Sequence, residues 1–303
     1  MHKFVTISSV SHLFKAAALA ESLAEHGYAL EIWLNSSVPI KPSFELPESC
    51  ALRSISDLDA SRLAVLQQKF GSNSDAFRWS LKSLVLEKVL LDGADSAVYL
   101  DNDQYFLQSP KALIETFGQY AILLTPHFYP ANPSVKGAHW FEANYQVGIF
   151  NAGFIGVRKD ALSFLNWWFD CCVYSFRKSY FRGLFDDQKY LDLVPTLFEA
   201  VYIHPKPTWN FAAWNDWTSA LHVSNNTLMI AEEPVVFVHF ATLSLQHFSL
   251  ATHPANFVYQ RYLSQLQCFE KNTLSVKEAY FSRRKILNFM RYLHWRLLTT
   301  FQD

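Results

Sequence analysis

The chain of 303 residues is 50% hydrophobic and 17% charged, enough apolar side chain to bury a core, which excludes intrinsic disorder and fits one large domain or two small ones. With 26 basic and 27 acidic side chains the net charge is −1, so the whole molecule is no electrostatic match for nucleic acid. No two of the nine glycines stand in G-x-G spacing, which excludes a dinucleotide fingerprint and a P-loop; a nucleotide diphosphate handled here must be neutralised by a metal or by basic side chains.

Lys3 to Ser8 alternates as a strand, Leu13 to Glu25 has a helical repeat closed by His26-Gly27, and Tyr28 to Leu34 reads as a second strand. Strand, helix, strand is the usual opening of a parallel sheet. Ser8, Ser9, Ser11, His12 and Lys15 interrupt the first apolar region too often for a signal peptide. Ile40 to Leu63 shows no period and reads as loop. Ala76 to Leu91 reads as one helix, followed by a short apolar strand, Ser96 to Leu100, that runs into Asp101-Asn102-Asp103. Ala121 to Leu124 is a buried-type strand, and the proline-spotted stretch to Gly137 is a long excursion. Gly148 to Val157 reads as a strand broken by a glycine-bearing turn, Ala161 to Tyr174 as an aromatic helix, and Asp186 to Leu193 as a short helix stopped at Pro195. Val201 to Ile203 and Val235 to Phe240 are the last strands visible, and Phe257 to Phe269 and Phe281 to Leu298 are helical. No run approaches 18 apolar residues, as a membrane-spanning helix requires.

Four cysteines, Cys50, Cys171, Cys172 and Cys268, form no C-x-x-C pair, and the adjacent two are poorly placed for a mutual bridge; a reduced, cytoplasmic setting is the simpler reading. From Lys271 to Asp303 seven basic residues face two acids, a local charge of +5, interleaved with aromatic and aliphatic side chains. Such a helix can lie peripherally on an anionic membrane surface, or pack on the domain with a basic outer face.

Two carboxylates one residue apart beyond a strand end, Asp101 and Asp103, stand where open α/β sheets place their ligands and can converge on one divalent ion. An acidic surface turn is the plainer alternative. His239, inside an apolar run, could be a ligand or a hydrogen-bonded core residue, and Asp186 and Asp187 could simply cap a helix. Asn151 and Gly153 could make a turn needing positive φ. Trp167-Trp168 falls in a helix and reads as core. Trp209-Asn210 and Trp214-Asn215 read equally as loop packing or as a sugar-stacking element.

Val98-Tyr99-Leu100-Asp101-Asn102-Asp103 resembles the D-x-D strand of GT-A-fold, sugar-nucleotide-dependent glycosyltransferases. Three further stretches, in the right order, resemble glycosyltransferase family 8 and its bacterial relatives. Phe150-Asn151-Ala152-Gly153-Phe154 is similar to the segment lining the donor sugar, Phe185-Asp186-Asp187-Gln188 to the D-Q segment beside the reacting carbon, and Val238-His239-Phe240 to the segment giving a histidine to the metal. Where that family usually continues with a glycine and a lysine, this chain has Ala241, Thr242, Leu243 and Ser244.

The resemblance covers roughly residues 1–250. It implies a GT-A-type α/β domain with a central, mostly parallel sheet flanked by helices, and leaves 251–303 as a helical, basic and amphipathic C-terminal extension. The implied activity is a retaining, metal-dependent hexosyltransferase moving a sugar from a nucleotide-sugar donor, a UDP-sugar first, to a glycan, lipid-linked or protein acceptor. The metal, Mn²⁺ or next Mg²⁺, falls to Asp101, Asp103 and His239. Asp187 and Gln188 fall to catalysis, and Thr6, Ser8, Arg78, Lys82, Asp101, Asn102, Asn151 and Gly153 to donor binding. Two other classes share parts of the pattern: a non-catalytic nucleotide-sugar or glycan binder of the same fold, and a haloacid-dehalogenase-type phosphatase. The phosphatase D-x-D usually lies near the start of its domain with threonine or valine next, whereas Asp103 precedes Gln104 and Tyr105.

Overall fold

A computed structural model describes residues 1–36, 42–72, 74–133, 140–179, 182–216 and 220–270. The strands are β1 (His2–Ser8), β2 (Leu30–Leu34), β3 (Cys50–Ser54), β4 (Ser96–Leu100), β5 (Gln104–Phe106), β6 (Ile122–Pro126), β7 (Phe150–Arg158), β8 (Val201–Ile203), β9 (Leu221–Ser224), β10 (Thr227–Ile230), β11 (Glu233–Pro234) and β12 (Phe237–His239). The α-helices are α1 (Leu13–Ala24), α2 (Ala60–Phe70), α3 (Asp75–Ser80), α4 (Lys82–Leu91), α5 (Lys111–Thr116), α6 (Ala143–Gln146), α7 (Leu162–Tyr174), α8 (Val194–Leu197), α9 (Thr242–Phe248) and α10 (Asn256–Phe269).

The main sheet has seven strands in the order β3-β2-β1-β4-β7-β6-β8, and β7 alone runs against the rest. This is the mixed α/β, mostly parallel arrangement expected from the sequence. Every residue of β2 and β4 is buried, as parallel strands covered on both faces require. Alternation along β1 sorts the core: Phe4 packs with Leu19 and Leu23 of α1 on one face, while Val5 and Ile7 pack with α4 and α7 on the other. A third cluster joins Phe14 and Ala18 of α1 to Val238 of β12 and to Tyr262 and Leu266 of α10, so α10 sits on α1, and Arg261 pairs with Glu25. Among the described residues no helix is long and apolar enough to cross a membrane. The basic tail from Lys271, with the helix expected over Phe281 to Leu298, lies outside the described residues.

Several local expectations change. The stretch read as loop holds the outermost strand β3 and the start of α2, whose cap is Asp59 accepting from Arg62 N at 2.8 Å. The helix read over Ala76 to Leu91 is two, parted at Leu81, where Ser80 Oγ donates back to Phe77 O at 2.8 Å and competes with the helical ladder. β7 continues through Gly153, its register with β6 shifting between Phe150 and Ile155, with neither Asn151 nor Gly153 at positive φ. Lys189–Leu193 is a 3₁₀ turn, and Pro195 sits in the first turn of α8, where its missing N–H costs nothing. Val235 to Phe240 contains only the short β12, and the unexpected hairpin β9–β10 turns on Asn225 and Asn226, both at positive φ.

Two pairings place the chemistry. Leu100 lies beside Phe154, so the chain leaves β4 directly against the start of β7, and Asp101 N donates to Gly153 O at 2.8 Å. Antiparallel pairing of β5 with β12 puts His239 opposite Gln104, one residue past the second aspartate.

Candidate active site

Asp101, Asn102, Asp103, Asn151, Gly153 and His239 line one cavity of about 400 Å³ at the carboxyl edge of β4, together with Arg78, Lys82, Asp187 and Gln188. Thr6 and Ser8 do not reach it. Both are buried, and period-2 alternation presents Ile7 between them to the cavity instead. Thr6 Oγ1 has no hydrogen-bond partner among the described residues, and Ser8 touches the site only by accepting from Asn102 Nδ2 at 3.2 Å.

One ligand-capable atom each of Asp101, Asp103 and His239 falls within 4.8 Å of the others. His239 Nε2 is 3.1 Å from Asp103 Oδ1 and 3.8 Å from Asp101 Oδ2. The other nitrogen, Nδ1, is 3.1 Å from Asn210 Oδ1, an atom that can only accept, so Nδ1 carries the proton and Nε2 turns a lone pair toward the two carboxylates in the neutral ring. Asn210 is fixed in turn. Its Oδ1 also accepts from Gln104 Nε2 at 2.9 Å, and its amide donates to Thr125 Oγ1 at 3.1 Å and Asn151 Oδ1 at 3.0 Å. Asn151 Nδ2 donates to His127 Nε2 at 3.1 Å, and His127 Nδ1 donates to Gly148 O at 2.9 Å. Every amide in this chain has one consistent orientation.

Charge follows the same geometry. Burial pulls His239 down, but Asp103 and then Asp101 more than offset it and hold the imidazole above its ordinary value. Against its own burial, the Asp103 carboxyl is held well below the usual range by His239 and Lys15. Burial lowers His127 to about 4, which keeps it neutral as the amide chain requires. Tyr99 Oη donates to Asp101 Oδ1 at 2.8 Å.

Deeper in the cavity, the Lys82 ammonium, 3% exposed on α4, lies 2.8 Å from Asp187 Oδ2 and 3.8 Å from Asp101 Oδ1, and donates to Ala152 O at 2.9 Å. Burial alone would lower Lys82, and these two carboxylates raise it. Burial pushes Asp187 up against the pull of Lys82. Gln188 Nε2 donates to Val147 O at 3.3 Å on the cavity wall, and Arg78 is held by Asp75 at 3.0 Å.

Several contributors escaped the sequence reading. Gln104, His127 and Tyr99 carried no signal beyond polarity at strand ends. Lys15 stood out only as a lysine on the alanine-rich α1; it is buried there, pulled down to about 8 by desolvation and pushed back by Asp103 and Asp101. Of the two readings open for Trp209-Asn210, packing holds: Trp209 stacks on His204 at 3.8 Å in the core and Asn210 supports His239. Trp214 does face the cavity, edge-on to His239 with ring centroids 5.2 Å apart. Trp168 is core as expected, its Nε1 donating to Asp187 O at 2.9 Å.

No family model matches the chain. It is similar to two uncharacterised proteins of Bacillus subtilis (strain 168): YfnD, 24% identical over 252 residues (80% of this chain, 78% of the relative), and YfnF, 22% identical over 246 residues (78% and 80%). Among solved structures, the galactosyltransferase LgtC, in complex with donor and acceptor sugar analogues, superposes with a TM-score of 0.55 at 14% identity, covering 89% of this chain and 96% of LgtC. The glycosyltransferase GlyE of Streptococcus pneumoniae TIGR4 gives 0.52 at 14% identity, covering 86% of this chain and 60% of GlyE. The fold is that of GT-A glycosyltransferases.

Proposed function

We propose that the chain is a metal-dependent glycosyltransferase, retaining the configuration of a sugar passed from a nucleotide-sugar donor, a UDP-sugar first, to a glycan, lipid-linked or protein acceptor. On this reading residues 1–250 carry the transfer site and 251–303 form a C-terminal extension, which is helical over Asn256–Phe269. One observation carries the reading: two carboxylates and an imidazole with its Nε2 lone pair turned inward meet at the carboxyl edge of the sheet, on the wall of a cavity that also holds Lys82, Asp187 and Gln188.

The donor set suits a divalent cation. Two anionic oxygens with one neutral nitrogen fit Mn²⁺ and, second, Mg²⁺. Asp101, Asp103 and His239 would hold the ion, which when bound supplies Lewis acidity to the leaving nucleoside diphosphate. Asn210 keeps His239 in the tautomer that ligation needs, and Tyr99 and Lys82 orient Asp101.

The protein's part in the transfer lies on the sugar side. Lys82 fixes Asp187 with one carboxylate oxygen committed to the ion pair, which leaves the group as a hydrogen-bond acceptor for a sugar hydroxyl. Gln188, adjacent and on the cavity wall, can turn its amide oxygen toward positive charge developing on the ring. Retention requires the acceptor oxygen to arrive on the face the diphosphate leaves, or a nucleophile on the opposite face. Asp187, tied to Lys82, fits the orienting role better than the nucleophilic one.

The test is a donor-hydrolysis screen with a panel of nucleotide sugars and Mn²⁺, in which at least one donor is consumed and chelation stops it; no turnover of any donor, with or without acceptor mixtures, overturns the reading. With the donor known, Gln188→Ala is expected to lower kcat on the order of 10²-fold while nucleotide affinity stays near the parent's, because its interaction strengthens only as charge develops. Weaker nucleotide binding at preserved kcat would move Gln188 to the nucleotide pocket.

A further inference from the structure

A second cluster lies outside the ligand set. Asp216 Oδ2 accepts from His247 Nε2 at 2.9 Å and from His253 Nε2 at 3.0 Å, joining the segment after Trp214 to α9 and to the turn between α9 and α10. Its composition, one acid and two imidazoles within 4.8 Å, invites comparison with Asp101, Asp103 and His239. The second ring nitrogen separates the two. His239 Nδ1 faces an acceptor and so leaves Nε2 a lone pair, whereas His253 Nδ1 accepts from Ala255 N at 3.0 Å, so the neutral ring must carry its proton on Nε2. That proton points at Asp216. The first cluster offers its imidazole to a cation; the second is closed on itself by hydrogen bonds to a charged acceptor.

The clamped segment bears on the cavity. Before Trp214 it is held by backbone pairing, His239 N donating to Phe211 O at 2.7 Å, and by Ala213 N donating to Ser244 Oγ at 3.1 Å on α9. After Trp214, buried Asn215 donates its N–H to Ala212 O at 3.1 Å and accepts from Ala212 N on Oδ1 at 3.0 Å, and Asp216 ties this turn to α9 and to the turn beyond it. Trp214 itself is 9% exposed, edge-on to both His239 and His127 and packed with Tyr129 and Ala143, so its indole forms a wall of the cavity between fixed points on both sides.

Resting on the glycosyl-transfer reading, we propose that Asp216 is a positioning residue: clamped by His247 and His253, it holds Trp214 against the site so that the wall admits the acceptor oxygen and keeps water from the anomeric carbon. When the wall loosens, a water oxygen forms the bond to that carbon as its bond to the phosphate oxygen breaks; the nucleoside diphosphate leaves and the water proton passes to solvent. The acceptor is then bypassed.

The experiment compares Asp216→Ala and Asp216→Asn with the parent. Trp214 is followed without any activity, as the part of acrylamide quenching of tryptophan fluorescence that disappears in Trp214→Phe. That part is expected to rise in Asp216→Ala and to return toward the parent value in Asp216→Asn, which keeps an acceptor oxygen. With donor and acceptor present, the share of donor lost to water should rise about tenfold in the alanine variant while transfer falls. Mn²⁺ and Zn²⁺ titrations should give one equivalent in the parent and the same affinity in Asp216→Ala. Unchanged quenching and unchanged partition in a folded alanine variant overturn the proposal. So does a second metal equivalent in the parent that Asp216→Ala removes. If no nucleotide sugar is turned over by the parent, the transfer reading fails, and the quenching result alone still decides the clamp. Should Asp216→Ala not fold, His247→Ala, which removes the more exposed donor, carries the same measurement.

Discussion

Asp103→Asn is expected to leave the fold intact and to cost about 10–100-fold or more in Mn²⁺ affinity, with metal-dependent donor turnover lost alongside, since even partners behind a ligand are worth that much. Asp103 stands at a strand end with its side chain 20% exposed, and asparagine matches its shape, so the change removes charge rather than packing. The same carboxylate sets the pH response. In the metal-free protein the charges of Asp103 and Asp101 hold His239 above its ordinary 6.5 despite burial, so the ring keeps its proton to a higher pH than free imidazole. Metal must displace that proton. Apparent Mn²⁺ affinity is therefore full above the raised value and falls by about tenfold per pH unit as pH drops through it. In Asp103→Asn the main raising charge is gone, so what metal binding remains should begin to fall at lower pH than in the parent. His239→Gln should abolish the titration in this window, because it removes the imidazole whose proton competes with the metal. Isothermal titration with Mn²⁺ from pH 5.5 to 8.5 reads all three proteins. A His239→Gln variant with the parent's affinity and pH profile would sink the ligand assignment and return His239 to the core.

What could be read from the sequence depended on how far apart the cooperating residues lie. Ser96 to Leu100 was legible as β4 because an unbroken apolar run ends abruptly in two acids, and β1, α1 and β2 because their periods are clean. β3 was not, since Cys50–Ser54 is a half-buried outermost strand with an arginine and a serine in five residues. Nor was the hairpin β9–β10, although Asn225-Asn226 between the alternating Leu221, Val223 and Leu228, Ile230 is the local signal that a two-residue turn gives. The glycine-bearing turn expected within Gly148 to Val157 is absent: Gly153, two residues past Asn151, marks close approach inside a strand. In the site, Asp101 and Asp103 could be named as candidates because they follow an apolar strand, and His239, inside an apolar run, through the resemblance of Val238-His239-Phe240. Asn210, Gln104 and His127 could not: their role exists only through hydrogen bonds bridging 21 to 106 positions of chain. Asp216, His247 and His253 are the same case, three ordinary polar residues until the fold joins them.

Gly153→Ala is the change for which the structure predicts the most damage from the fewest atoms. A Cβ at this position would meet Asn151 Oδ1 at 2.6 Å, His239 Cε1 at 2.7 Å and Asp101 Oδ2 at 2.8 Å, all closer than real Cβ contacts. Two of these belong to candidate metal ligands and the third to the amide chain behind His239. β7 is tied to β4 at this point, Asp101 N donating to Gly153 O at 2.8 Å, so the strand cannot swing away on that side, although its register with β6 shifts between Phe150 and Ile155. The side chains must move, and together they are the site. Gly156, three residues on and on the opposite face of the same strand, provides the control. Its added Cβ meets Leu123 and Phe117 at 2.9 Å, side chains of the apolar core. Overpacking of this kind costs about 1–3 kcal/mol, or several degrees in Tm, in either variant. Only Gly153→Ala should also weaken Mn²⁺ binding by about tenfold or more and suppress donor turnover to match. Thermal unfolding and Mn²⁺ titration of both variants separate the effects. If Gly153→Ala binds metal as the parent does, its methyl group has found room and the ligand atoms do not need the positions they hold here; if Gly156→Ala loses metal equally, the loss reports a distorted strand rather than a displaced site.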